Sequence, residues 1–194
     1  MLLSGSELID MPVMGLQTGK ELARTSEAII NPHNLSIIAY GVVGAHLDHT
    51  PSFIRTVDIR ELGNLGIIID SSDEFVEPDD IIVDKAVYDL NFEIVGKHVI
   101  DDKKAKIGKV IGYTIEVDSF VIQQLSVKRP ILKSFNEDEL LVNRGQIIEV
   151  TDTMIIIKSG KVKNVAKVKP SRHFVNPFRQ TTPQPETAKT NNQS

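Results

Sequence analysis

Residues 17–42 read QTGKELARTSEAIINPHNLSIIAYGV, and residues 102–127 read DKKAKIGKVIGYTIEVDSFVIQQLSV. Set against each other at a constant offset of 85 residues, their apolar positions coincide. Leu22 falls on Ile107, Ile30 on Ile115, Leu35 on Phe120, Ile37 on Ile122 and Val42 on Val127. A second match follows at offset 88, where Ile67-Ile68-Ile69 meets Ile155-Ile156-Ile157. Self-similarity at a fixed period marks one structural unit used twice, so the chain is expected to hold two small units.

The local pattern within each copy is that of strands. Leu35–Val43 is rich in branched residues, follows the turn formers Asn31-Pro32-His33-Asn34, and is too short for a typical helix. With Leu22–Ile30 before the turn it forms a hairpin. The second copy repeats this with Lys106–Val117, a turn at Asp118-Ser119, and Phe120–Val127. A later hairpin in each copy joins Ile59–Leu62 to Ile67–Asp70 through Gly63-Asn64, and Ile147–Val150 to Met154–Lys158 through Thr151-Asp152. Segments 44–52 and 128–138 read as looser connections. Five or six short strands per unit hide their edges best by closing into a barrel. A short helix over Asp84–Leu90, with Val83, Val87 and Leu90 on one face, is expected to bridge the units.

These strands and turns carry a family resemblance. Ser6-Glu7-Leu8-Ile9, Gln17-Thr18-Gly19-Lys20 and Ile29-Ile30-Asn31-Pro32-His33-Asn34 resemble the PRC-barrel family, named after the cytoplasmic domain of the photosynthetic reaction centre H subunit. The second copy is similar through Ile94-Val95-Gly96-Lys97-His98-Val99 and Ile107-Gly108-Lys109-Val110, although it lacks the Asn-Pro turn. The resemblance implies an all-β fold of two tandem PRC-type barrels with a linking helix and a disordered C-terminal tail. Its expected bounds are 1–80 for the first barrel, 81–92 for the linker, 93–160 for the second barrel, 161–179 for a basic segment and 180–194 for the tail. It also implies adaptor work, since the family includes a ribosome-maturation factor that binds a small-subunit ribosomal protein, and standalone proteins linked to sporulation or cell division. Fold alone does not transfer any of those functions.

Composition narrows the chemistry. The chain has no Cys, which removes disulfides, thiolate metal sites and cysteine nucleophiles. MLLSGSELID has no basic region and its apolar run breaks after three residues, so no signal peptide is expected. No stretch approaches the roughly 20 apolar residues of a membrane span, and a cytoplasmic location is expected. Residues 1–90 carry 5 Lys/Arg against 15 Asp/Glu, residues 91–160 carry 10 against 10, and residues 161–194 carry 7 against 1. Such asymmetry means that the halves face different neighbours, or that the tail returns to the acidic first half.

Several constellations fall short of a site. His46-Leu47-Asp48-His49 has donors for a transition metal but no third protein ligand nearby. Asp73, Glu74, Glu77, Asp79 and Asp80 lack the spacing of a calcium loop and read as a charged junction. There is neither a P-loop nor a Gly-x-Ser-x-Gly elbow, so no enzyme activity, cofactor, catalytic residue or metal ligand is expected.

The segment after Gly160 offers more. Lys161, Lys163, Lys167 and Lys169 alternate with apolar or small residues, and Phe174 and Phe178 lie among basic ones. Basic charge with aromatic rings suits single-stranded nucleic acid, anionic lipid or a partner's pocket. The expected function is a non-enzymatic adaptor or scaffold that binds a protein through its barrel surfaces. Lys163, Lys167, Lys169, Phe174 and Phe178 are its candidate contacts. Two alternatives stand beside it: an RNA- or ribosome-associated factor using the basic tail, and a peripheral membrane-surface or cell-division protein. A homodimer is a further candidate assembly.

Overall fold

The structure, a computed structural model, describes residues 1–45, 47–79, 85–130 and 139–159. Its order follows from branched residues placed at alternate positions. β1 (Leu2–Ser4) leads to β2 (Pro12–Gly15), then the long hairpin β3 (Lys20–Asn31) and β4 (Ser36–Val43). β5 (Ser52–Arg55), β6 (Glu61–Gly63), β7 (Gly66–Ile69) and β8 (Phe75–Val76) complete the first half. After the one-turn helix α1 (Lys85–Tyr88) come β9 (His98–Asp101), β10 (Lys106–Glu116) and β11 (Val121–Lys128). β12 (Glu139–Asn143), β13 (Ile147–Val150) and β14 (Met154–Ile157) end the described chain.

The sequence repeat is a repeat of backbone. β2 pairs in parallel with β7 through Val13 and Ile67, and β9 with β14 through Val99 and Ile155. The ladder irregularities recur too. The register slips at Leu22 in β3 and at Ile107 in β10, residues matched at offset 85. It slips again beyond Ile29 and Thr114, another matched pair. A bulge re-aims the strand that carries it, so shared bulges mean shared curvature.

The halves meet at their hairpin tips. Ser36 faces Val121 across the seam. Ile37 N–H donates to the Phe120 carbonyl at 2.8 Å, and Ile122 N–H donates to the Leu35 carbonyl at 2.9 Å. Leu35 and Phe120 are matched positions with left-handed backbones, φ 51° and 52°. The seam is therefore an internal two-fold contact, built as a symmetric dimer would build it.

This seam changes the expected closure. The sheet runs β13-β14-β9-β10-β11-β4-β3-β2-β7-β6 and is not closed. Its path is a palindrome of the repeat. β4 gives the start of its outer edge to β11 and the rest to β5, while β11 divides its edge between β4 and β12 in the same way. Edge groups that closure would use are satisfied across the seam instead.

The lead-in segments cross over as well. β1 pairs with β10 of the other half, and Gly5 lies so close to the Tyr113 ring that a Cβ there would overlap it. Helix α1 packs beside β3 of the first half, with Tyr88 edge-on to Phe53 at 5.3 Å. The helix is shorter than the expected Asp84–Leu90. Leu90 is exposed, and the packing contact is made by Tyr88. Val83 and Asp84 lie outside the described residues.

One buried cluster spans both halves, from Leu8, Val13 and Ile67 through Ile37 and Ile122 to Val99 and Ile155. Tyr40 lies inside it, edge-on to Phe120 of the other half at 6.3 Å, and its hydroxyl finds no protein partner among the described residues. Burial pushes that phenol's pKa far above its usual range. A buried hydroxyl without a partner is a liability of about 1–3 kcal/mol. Tyr40→Phe is therefore expected to raise the unfolding free energy by about 1 kcal/mol in urea titrations. A loss of stability would show that the hydroxyl is satisfied.

Candidate functional site

Of the residues singled out in the sequence, Lys161, Lys163, Lys167, Lys169, Phe174 and Phe178 lie outside the described residues, as do His46 and Asp80. Leu47, next in sequence to His46, packs against the core. His49 Nδ1 meets Glu77 Oε1 at 2.8 Å, so one histidine and one acidic residue are joined as a surface pair. Asp73 N–H donates to Ser71 Oγ at 3.1 Å in a short 3-10 turn. Among the described residues, no group of three or more His, Asp or Glu side chains is placed to hold a metal ion. No helix among them is long and apolar enough to cross a membrane.

A different face carries the larger feature. In the second half, β9, β10, the end of β11 and the start of β14 border a groove of about 930 Å³. Ile100, Ile111 and Met154 present apolar side chains to it, while Val99 and Val110 beneath are buried in the core. His98, Lys106, Lys109, Lys128 and Arg129 border the same groove, and among the described residues no carboxylate lines it. Ile111 and Val95 are 47% and 48% exposed. They also border an adjoining hollow of about 440 Å³ under Gly5 and Tyr113, so the apolar surface continues past the groove.

The strand register explains the charge. Lys109 lies directly opposite Lys128 on one side and His98 on the other. Residues opposite one another in antiparallel strands project from the same face, so Lys109 and Lys128 place two ammonium groups side by side. Lys128 in turn faces Glu139. Gly108 permits the close approach, since a Cβ there would overlap the Lys128 carbonyl.

On the matched face of the first half the cation is paired with carboxylates. Arg24, at the position of Lys109, bonds Asp10 Oδ1 at 2.7 Å and Glu21 Oε1 at 3.2 Å. Glu21 stands at the position of Lys106, Val43 at that of Lys128, and Ser26 at that of Ile111. Where Met154 borders the groove, Gly66 lies against the Pro12 carbonyl with no room for a side chain. Acidic residues elsewhere are committed in similar ways. Arg60 bonds Asp70 and holds its carboxyl below the usual range, while Ser159 does the same for Asp102.

The groove residues were not singled out in the sequence, although a signal was present. Aligning the copies by their apolar positions reveals the fold, whereas their differences reveal the site: Glu21 against Lys106, Val43 against Lys128, Ser26 against Ile111. Comparison with protein-family models finds no match to this chain, and comparison with curated proteins finds none either.

Proposed function

We propose that this chain is a non-enzymatic adaptor, built as two tandem PRC-type units, that binds a protein partner through the groove of its second half. The observation that carries the reading is the divergence of two matched faces. On one, Arg24 pairs with Asp10 and Glu21 and Gly66 leaves no room for a side chain; on the other, a groove carries apolar side chains with basic residues on its border. An apolar surface with charged borders is the composition of a recognition site. The basic segment 161–179 supplies a second contact to the same partner. A tether between two weak contacts raises affinity by roughly 10²–10⁴ when geometry permits.

The test is affinity capture from native lysate with three proteins: the full chain, the full chain carrying Ile111→Glu, and a chain ending at Gly160. Partners that survive removal of the tail and disappear with Ile111→Glu are the expected result. Ribosomal or nucleic-acid complexes that follow the tail and ignore Ile111→Glu would replace this reading with one centred on residues 161–179.

A further inference from the structure

We infer that residues 161–165 of this chain dock as a strand on the outer edge of β12, in the place that β8 holds beside β5. The inference stands apart from the adaptor reading and leaves Lys167, Lys169, Phe174 and Phe178 to a partner. The repeat itself names the occupant.

Every ladder that the first half forms within itself has a counterpart in the second, with one exception among the described residues. β2–β3, β2–β7, β3–β4, β4–β5 and β6–β7 recur as β9–β10, β9–β14, β10–β11, β11–β12 and β13–β14. β5 also pairs with β8, Phe53 opposite Val76 and Ile54 opposite Phe75. β12 is the match of β5, since Ile54 lies opposite Tyr40 as Val142 lies opposite Leu125. Among the described residues β12 pairs with β11 alone. β5 takes its outer neighbour from the residues that follow β7, so the counterpart for β12 belongs to those that follow β14. An uncovered edge is a template for association, and a strand tethered to the same chain covers it at high effective concentration.

The stretch in question begins where the described chain ends. Ser71 Oγ accepts the Asp73 N–H in the turn before β8, and Ser159 stands at its matched position. Residues 70–74 carry the chain from Ile69 to Phe75, and residues 158–161 carry it from Ile157 to Val162. Apolar alternation sets the register. Phe75, opposite Ile54, packs on the core, and Val162 takes that place opposite Val142, which is fully buried. Lys163 then lies opposite Leu141, on the other face. Leu141 is only partly buried, whereas its match Phe53 is 1% exposed and packs with Val76. The charges are exchanged between the copies. Arg55 of β5 meets a β8 flanked by Glu74 and Glu77, while Glu139 of β12 would meet a Val162 flanked by Lys161 and Lys163. Opposite charges on neighbouring strands favour both pairings.

The chain has no Cys, so two introduced thiols are the only ones present. The experiment oxidises full-length Leu141→Cys/Lys163→Cys mildly and follows the intramolecular disulfide by non-reducing electrophoresis and mass spectrometry. Opposed residues of paired strands bring their Cβ atoms within about 5 Å, close to the span of a disulfide. The companion protein is Leu141→Cys/Ser171→Cys, which shares the first substitution and any damage it does. The Lys163 pair is expected to close at least about tenfold faster than the Ser171 pair, at a rate independent of protein concentration. In a second measurement, Val162→Pro with Lys163→Pro should speed amide exchange in β12 about tenfold or more and leave β5 unchanged. Successive N–H groups of a strand point to opposite sides, so one of the two prolines removes a donor that faces β12. Equal closure of the two thiol pairs would overturn the inference and leave the edge to a partner's strand. Disulfide-linked dimers as the main product would overturn it in favour of a second copy of this chain. Unchanged exchange in β12 after the proline substitutions would overturn it as well.

Discussion

Ile122→Ala is expected to lower the unfolding free energy by about 2–5 kcal/mol, and Ile37→Ala to do the same, with both halves losing protection together. The two side chains are fully buried, on matched positions, in one cluster that reaches the far strands of each half. Truncating either removes apolar burial and leaves a cavity, and a closely packed interior relaxes only partly around it. Each residue also carries a seam hydrogen bond through its own N–H, Ile122 to the Leu35 carbonyl and Ile37 to the Phe120 carbonyl. Loosening the side chain therefore loosens the contact that joins the halves. Units of this size bury little surface alone, so a shared core is what makes them cooperative. Amide exchange under mild denaturant is the measurement, with β3 and β10 as reporters. Matched losses of protection in both strands are the expected result. Unchanged protection in β3 after Ile122→Ala would show that the halves are independent units and that the seam adds little.

How much of this was written in the sequence depends on the range over which each feature is determined. The long hairpins were legible because buried strand positions demand branched side chains at fixed spacing, as at Ile30, Ile37, Ile115 and Ile122. The two turns differ in residue type, Asn31–Asn34 in one copy and Asp118-Ser119 in the other, which made the second copy look divergent. The structure shows what they share. Each ends in an apolar residue with a left-handed backbone, Leu35 or Phe120, a position where Gly or Asn is the usual choice. Tertiary packing of those side chains overrides the local preference.

The open sheet was not legible for a different reason. Closure and seam-sharing use the same strands with the same alternation, and only the pairing of β4 with β11 distinguishes them. That pairing has no local signature. The crossing of β1 to β10 is similar, because three residues near the start of the chain specify a strand but not its partner. The groove needed one more step, since it lies in what the copies do not share.

Gly66→Ala is the substitution that tests how the two faces came to differ. It is expected to destabilise the chain by about 3–5 kcal/mol, while Met154→Ala, at the matched position, is expected to cost only about 1 kcal/mol. Gly66 has φ +119°, a conformation that a side chain disfavours, and a Cβ there would overlap the Pro12 carbonyl oxygen. The overlap is with backbone, so no rotamer change relieves it. The response must be a shift of β2 away from β7, and that parallel pairing holds Val13 against Ile67 in the core. Met154 tolerates truncation because its side chain is half-buried at the border of an open groove. Urea unfolding of both variants checks the contrast. A loss below about 1 kcal/mol for Gly66→Ala would mean that the first face opens without strain. The absent side chain would then not be what keeps it closed. A large loss would place the division of labour in a single position: glycine lets the backbone seal one face, and methionine leaves its counterpart bordering a site.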